Sequence, residues 1–380
     1  MPRPFRHHHL FRILETFDPK KGALDRFLSS YFKNSRAIGA QDRREIAQKV
    51  YTLIRFWRLF DAISQKNLSW EERATLLDTS NSISVLQEQL DPCCPERYGI
   101  GPVFFQKLVD SFEQPVLEEQ LHCINEQAPI ALRTNLLKTS REELMGLLPK
   151  NLKARAADQA PHGIILSRRE NLLSLPSFRC GLFEIQDEGS QLVSELIACA
   201  PGERVLDYCA GAGGKTLAFA PNMRNRGEIL LYDIRASLLE KARQRLKRAG
   251  IHNIRFCYPP EGPPKKYYNK MDWVVLDVPC SGSGSIRRRP ELREHLETWT
   301  SLSYVEKQRE IFRKAFYFSK PGGFIIYITC SLFKEENDQQ VDFFLKRHPI
   351  TLVKDPIQIK LTTSGPDGFF AALFRKEESQ

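Results

Sequence analysis

The sequence predicts an α/β fold whose C-terminal half is a doubly wound, mostly parallel sheet, preceded by an all-helical region and a small α+β segment. Three observations carry this. From Gly202 onward short apolar strands alternate with helical stretches. Before Gln127 apolar side chains recur at three- and four-residue steps. From Ile130 short strands surround a single helix. Strand–helix alternation is the pattern of a parallel sheet covered on both faces, and three–four periodicity is that of amphipathic helices.

Taken in order, residues 1–78 form a helical domain, 79–102 a connector, 103–185 the small α+β segment and 186–380 the α/β domain. In the first, residues 42–63 place Ile46, Val50, Leu53, Ile54, Trp57, Phe60 and Ala62 on one helical face. Arg43, Arg44, Lys49, Arg55 and Arg58 occupy much of the other, which suits a solvated face or an RNA-facing one. The connector is rich in Ser, Asp, Pro and Gly. A helical stretch over 103–127 follows, then strands at 130–133 and 163–166, with a helix near Ser140 that Glu143 completes as a capping box. The α/β domain has strands at 204–208, 228–232, 254–257, 272–277, 324–329 and 368–374. A basic helix is expected at 236–250 and another at 302–319, with Pro321-Gly322-Gly323 as a tight turn into the next strand.

At 380 residues, 42% hydrophobic and 27% charged, the chain has ordinary globular composition. No apolar run approaches the roughly 20 residues of a bilayer span. Residues 1–12 are basic and His-rich without the apolar segment of a signal peptide, and His7, His8 and His9 read as solvated surface. The net charge of +10 favours an anionic partner, nucleic acid before membrane. The nine cysteines include no Cys-x-x-Cys pair, which removes the usual zinc-finger and thioredoxin signatures. A cytoplasmic, metal-free chain with reduced thiols is expected, and nothing suggests an obligate dimer.

In open α/β sheets ligands bind beyond the carboxyl ends of the strands. The first such loop is Asp207-Tyr208-Cys209-Ala210-Gly211-Ala212-Gly213-Gly214-Lys215-Thr216. A P-loop would need glycine where Cys209 stands, and a dinucleotide fingerprint would need glycine where Thr216 stands. What remains is a loop of small residues opening on Asp207, with Asp233 ending the second strand. A carboxylate there can accept hydrogen bonds from the ribose hydroxyls of an adenine nucleoside, and this suits S-adenosylmethionine as well as a dinucleotide.

The fourth strand runs into Asp277-Val278-Pro279-Cys280-Ser281-Gly282, and the fifth into Thr329-Cys330-Ser331, with Glu335-Glu336-Asn337 just beyond. Both strands are expected beside the first, so both cysteines should open into one cleft. Two thiols there suit methylation of a pyrimidine at carbon-5. A thiolate added at carbon-6 makes carbon-5 nucleophilic, and a base then removes the carbon-5 proton. Lys215 is a candidate positive charge for lowering a thiol pKa, and Asp277 can hydrogen-bond the base edge.

Together with Gln186-Asp187-Glu188-Gly189-Ser190-Gln191 and Asp367-Gly368-Phe369-Phe370, these motifs resemble the RsmB/Sun family of S-adenosylmethionine-dependent RNA cytosine-5 methyltransferases over residues 103–375. The resemblance implies a class I methyltransferase Rossmann-like domain. It implies Cys330 as nucleophile, Cys280 assisting product release, and Asp277 at the junction of cofactor and cytosine. It also implies a cofactor loop of Cys209, Ala210, Gly211, Ala212, Gly213, Gly214 and Lys215, opened by Asp207, with Asp233 on the ribose. Residues 42–63 resemble part of a NusB-type RNA-binding domain, and 103–185 an RNA-recognition-motif-like region. The chain departs from the family where Ala212 replaces proline, where residues 257–261 lack an aspartate, and where Leu238 replaces a basic residue.

The expected partner is RNA, ribosomal RNA foremost, with Arg287, Arg288 and Arg289 supplying phosphate contacts just after the catalytic loop. Residues Lys241, Arg243, Arg245, Lys247 and Arg248, with Lys265 and Lys266, are further candidates. Two alternatives stand beside this reading: a DNA cytosine methyltransferase with Cys280 as nucleophile, and a non-catalytic RNA-binding assembly factor.

Overall fold

The structure is a computed structural model that describes residues 5–80, 82–168, 170–298 and 301–378. The chain divides into two compact units, Met1–Gln127 with Ser285–Trp299, and Ala128–Gly284 with Thr300–Gln380. The boundary near residue 127 differs from the one read at 102/103, because the helices after the connector pack with the helical unit.

In the first unit, helices Phe5–Thr16, Leu24–Asn34, Ala40–Ser64, Trp70–Thr79 and Ile83–Gln87 share one apolar core. The long helix buries Ile46, Val50, Leu53, Ile54 and Phe60, as its periodicity predicts, and adds Phe56 and Leu59. The stretch expected as one helix over 103–127 is two, Pro102–Ser111 and Val116–Cys123. The break falls at Pro115, which has no N–H to offer a helix interior. A segment from later in the chain, Ser285–Trp299, completes this unit. The Arg293 guanidinium, buried, donates to the carbonyls of Tyr98 (2.9 Å) and Ile124 (2.9 Å). Glu297 accepts from the backbone N–H groups of Val103 (3.2 Å) and Phe104 (3.1 Å), capping the start of the helix Pro102–Ser111.

The second unit holds two sheets. Strands β1 (Ile130–Thr134), β2 (Ala154–Ala156), β3 (Gly163–Leu166) and β4 (Phe183–Ile185) form an antiparallel sheet in the order β2-β3-β1-β4. The helix Arg141–Leu147 packs on it, and the Ser140–Glu143 capping box forms as read from the sequence.

The larger sheet contains β5 (Arg204–Asp207), β6 (Glu228–Tyr232), β7 (Ile254–Cys257), β8 (Met271–Asp277), β9 (Ser319–Thr329), β10 (Ile350–Leu352), β11 (Ile357–Ile359) and β12 (Phe369–Lys376). Its order is β10-β12-β9-β8-β5-β6-β7, with β11 also on β12. The run from β7 to β9 is parallel and β12 returns antiparallel. Thus β9 neighbours β8 and not β5, a correction to the order read above. Pro321-Gly322-Gly323 does not precede β9 but interrupts it. Six residues from Ser319 to Phe324 face three on β8, Met271 to Trp273, and Gly322 takes a φ of 71° to absorb the excess.

Alternation along these strands sends Val205, Leu231, Val275 and Ile328 to one face, against helices Glu188–Ser194, Gly214–Met223 and Ala236–Ala249. Leu206, Leu230, Leu276 and Tyr327 go to the other, against helices Ser301–Phe316 and Asp338–Arg347. On that side Phe312 stacks on Phe344 with ring centroids 3.9 Å apart. Burying each such side chain contributes about 1.5–3 kcal/mol. Two covered faces leave the strand ends as the place for chemistry. No helix among the described residues is long and apolar enough to cross a membrane.

Candidate active site

Register decides which loops meet. Asp207 of β5 lies level with Leu231 of β6 and Val275 of β8, and Asp277 of β8 lies level with Ile328 of β9. The residues that follow Asp207, Tyr232, Asp277 and Thr329 therefore leave the sheet at one edge.

The glycine-rich loop turns there. Gly211 and Gly213 have φ of 52° and 77°, and Gly213 opens the helix Gly214–Met223. Only glycine takes this left-handed backbone cheaply, and a Cβ at 213 would press within 3.3 Å of Ala242. Asp233 is buried behind the loop and accepts from the Gly211 N–H at 2.9 Å. Arg235 closes on the same carboxylate, from its backbone N–H at 2.8 Å and its Nε at 3.0 Å. Burial works against the Asp233 charge, but the Arg235 hydrogen bonds outweigh it and hold the carboxyl below its ordinary range.

Asp207 sits beneath the loop with no exposure and accepts from Thr216 Oγ1 at 2.6 Å, while its Oδ1 has no partner among the described residues. Burial pushes its pKa up to about 7, despite the Thr216 bond. Cys209 is half-buried, and desolvation followed by the charges of Asp207, Asp233 and Asp277 drives its thiol well up, so it stays protonated.

Lys215, read from the sequence as a charge near a thiol, is spent elsewhere. Its Nζ donates to Ser190 Oγ at 2.9 Å and to Asp277 Oδ2 at 3.2 Å, and lies 5.1 Å from the centre of the Phe369 ring. Ser190 also accepts from Gln186 Nε2 at 3.0 Å, and Asp187 Oδ1 holds the Asp367 N–H at 3.1 Å. The motifs at 186–191 and 367–370 thus brace the Lys215–Asp277 pair.

Beyond Asp277, Cys280 Sγ lies 3.4 Å from Cys330 Sγ, and the Cys330 N–H points to Cys280 Sγ at 3.3 Å. Both thiols are free and half-exposed. Hydrogen bonding to Cys330, and burial after it, raises the Cys280 thiol well above its usual range. Around the pair runs a polar scaffold. Glu336 accepts from Ser281, Ser331 and Gln308, and Asn337 Oδ1 accepts from Thr329 Oγ1 at 2.7 Å.

The arginine triplet is not one surface. Arg287 is 2% exposed, Arg288 half-buried and Arg289 exposed with Nε 3.1 Å from Glu291. Arg287 therefore cannot present its charge to a phosphate, and its carbonyl accepts from Arg55 Nη2 at 2.9 Å inside the helical unit. Of the basic helix, Arg245 and Arg248 are engaged by the buried Glu184, whereas Lys241, Arg243 and Lys247 are exposed. Sequence reasoning missed Arg235, although its place two residues after Asp233 was a usable signal. It also missed Gln308, which nothing local links to either cysteine.

Residues 194–375 match the 16S rRNA methyltransferase RsmB/F family, and residues 104–172 match the ferredoxin-like domain of RsmF/B-like methyltransferases. The probable ribosomal RNA small subunit methyltransferase B of Synechocystis sp. is 31% identical over 304 residues, covering 74% of this chain and 68% of that protein. The chain belongs to the RsmB/F methyltransferase family. The human 28S rRNA (cytosine(4447)-C(5))-methyltransferase is 31% identical over 283 residues, 72% of this chain and 34% of that one. A solved structure, PH0851, superposes on 99% of this chain and 100% of its own with a TM-score of 0.81 at 23% identity, which shows a shared fold. The chain spans between 34% and 68% of the length of these and other curated RsmB/F relatives.

Proposed function

We propose that the chain is an RNA cytosine-5 methyltransferase that acts on ribosomal RNA with S-adenosylmethionine as donor. The observation that carries this is the thiol pair, 3.4 Å apart, in the loops beyond two adjacent parallel strands, one of which ends at Asp277. Relatives named for rRNA and for cytosine carbon-5 support the substrate.

The residues present fit the donor. Asp233 offers a buried carboxylate just beyond β6, and Asp207 has an oxygen unpartnered among the described residues, under a loop whose Gly214 faces open space. A ribose diol at Asp233 would displace Arg235, whose side chain is 65% exposed and free to swing away. When bound, S-adenosylmethionine supplies an electrophilic methyl group.

The chain's own residues prepare the cytosine. The Cys330 thiol gives its proton to a base, its Sγ bonds carbon-6, and the electron pair of the 5,6 double bond moves to carbon-5, which becomes the nucleophile. Asp277, held by Lys215, accepts from the amino edge of the ring and steadies charge as the adduct forms. After methylation a base takes the carbon-5 proton and the Cys330 thiolate leaves. Cys280, whose sulfur lies 3.4 Å from that of Cys330, is placed to assist that release, and relatives named for rRNA favour the RNA reading over the DNA one. The helical unit and the small sheet, in this reading, deliver RNA as NusB-like and RNA-recognition-motif-like parts.

Transfer of labelled methyl from S-adenosylmethionine tests the proposal. Label recovered as 5-methylcytosine in ribosomal RNA and not in DNA is expected, and its absence from RNA at saturating donor would overturn it.

A further inference from the structure

Glu336 lies between the two cysteine loops and belongs to neither strand end. It is fully buried, just before the helix Asp338–Arg347. One carboxylate oxygen accepts from the Ser281 N–H at 2.9 Å and from Gln308 Nε2 at 3.0 Å. The other accepts from the hydroxyls of Ser281 and Ser331. Ser281 follows Cys280 and Ser331 follows Cys330. Gln308 Nε2 also donates to the Pro279 carbonyl at 3.1 Å, so Cys280 is gripped on both sides. Tyr327 then fixes the clamp by donating to the Glu336 carbonyl at 2.7 Å.

We propose that Glu336 is the positioning residue that sets the separation of the two thiols by tying the residue after each cysteine to one carboxylate. The chemistry explains why an acid stands there. Four donors converge on the group, and a carboxylate has about four lone-pair sites to receive them. The Ser281 N–H can only donate, and Gln308 turns its NH₂ to the site because its Oε1 already accepts from Gln340 Nε2 at 2.9 Å. The two serine hydroxyls can rotate. A glutamine at 336 can therefore turn its NH₂ toward the serines and keep the scaffold, with weaker neutral bonds. Alanine removes the tie altogether. The Cys280 thiol, raised first by its hydrogen bond to Cys330 and by burial, is raised a little further by this buried acid.

The inference rests on the methyltransferase reading for its catalytic consequence, but its geometry can be tested apart from RNA. The intact chain is treated with diamide, which takes two hydrogens from a pair of neighbouring thiols and leaves a disulfide. The Cys280–Cys330 linked peptide is then quantified by mass spectrometry in the parent, Glu336→Gln and Glu336→Ala. The parent is expected to form the link readily, the alanine variant about tenfold or more slowly, and the glutamine variant in between. In parallel, Glu336→Gln is expected to lower kcat about 10-fold with an unchanged KM for RNA, and to move the alkaline limb of the rate profile to lower pH. Should the alanine variant fail to fold, the glutamine variant carries both readouts. Equal linking rates in the parent and a folded variant would overturn the positioning role. Slower linking with unchanged methyl transfer would uphold it and count instead against the thiols as the reacting groups.

Discussion

Cys280 Sγ and Cys330 Sγ stand 3.4 Å apart, in contact but well beyond the about 2.05 Å of a disulfide. The sheet creates this spacing. Asp277 and Ile328 are partners across β8 and β9, so three residues beyond one and two beyond the other bring the sulfurs face to face. No alternation rule or motif spacing gives that distance; the pairing of two strands does.

The Lys215–Asp277 pair is the next test. Lys215 is almost sealed from solvent, whereas the Asp277 side chain is 36% exposed. Asp277→Asn keeps the shape and removes the charge that answers Lys215. It should cost about 1–3 kcal/mol of stability in urea melts. Single-turnover methyl transfer should fall about 100-fold or more. Unchanged turnover would remove Asp277 from the chemistry.

Asp207 predicts a pH effect. Its carboxyl titrates near 7 in the fold, above the ordinary range, because burial disfavours its charge. Between about pH 4 and 7 the folded state therefore holds a proton that the unfolded chain has released, and the residue's contribution to stability declines as pH rises through that window. Asp207→Asn cannot ionise. Its stability relative to the parent should be greater at pH 8 than at pH 5 in paired denaturation curves, and an identical difference at both would contradict the assignment.

Arg287 and Arg289 should separate cleanly. Arg287→Ala removes a buried side chain from the helical unit and is expected to lower stability by about 2 kcal/mol or more. Its effect on the salt dependence of RNA binding should be small. Arg289→Ala, which takes the partner from the buried Glu291, should lower the melt less than Arg287→Ala does and reduce the slope of log K against log salt by up to about one. The reverse pattern would mean that Arg287 reaches the RNA.

Strand order was not legible in the sequence, since β9 pairs with β8 and not with β5. Fold class and strand positions largely were, because alternating apolar strands and Gly-rich turns are local signals. The motifs holding Asp207, Asp233, Asp277, Cys280 and Cys330 were legible for the same reason. Arg287 was not, since three consecutive arginines look alike until packing buries one and exposes another. Lys215 was placed near a thiol by proximity in a motif, yet Asp277, on another strand, claims it. Glu336 and Gln308 are separated by 28 residues, and only folding makes them partners. The break at Pro115 was available in the sequence, and the apolar periodicity on either side obscured it.

The covalent step can be observed directly. Parent, Cys330→Ala and Cys280→Ala proteins are incubated with ribosomal RNA and S-adenosylmethionine and resolved on denaturing gels for protein–RNA adducts. The adduct is expected to accumulate in Cys280→Ala, which can attack but releases product poorly, and to be absent in Cys330→Ala. Adducts that persist in Cys330→Ala and vanish in Cys280→Ala would contradict the assignment of Cys330 as the attacking thiol.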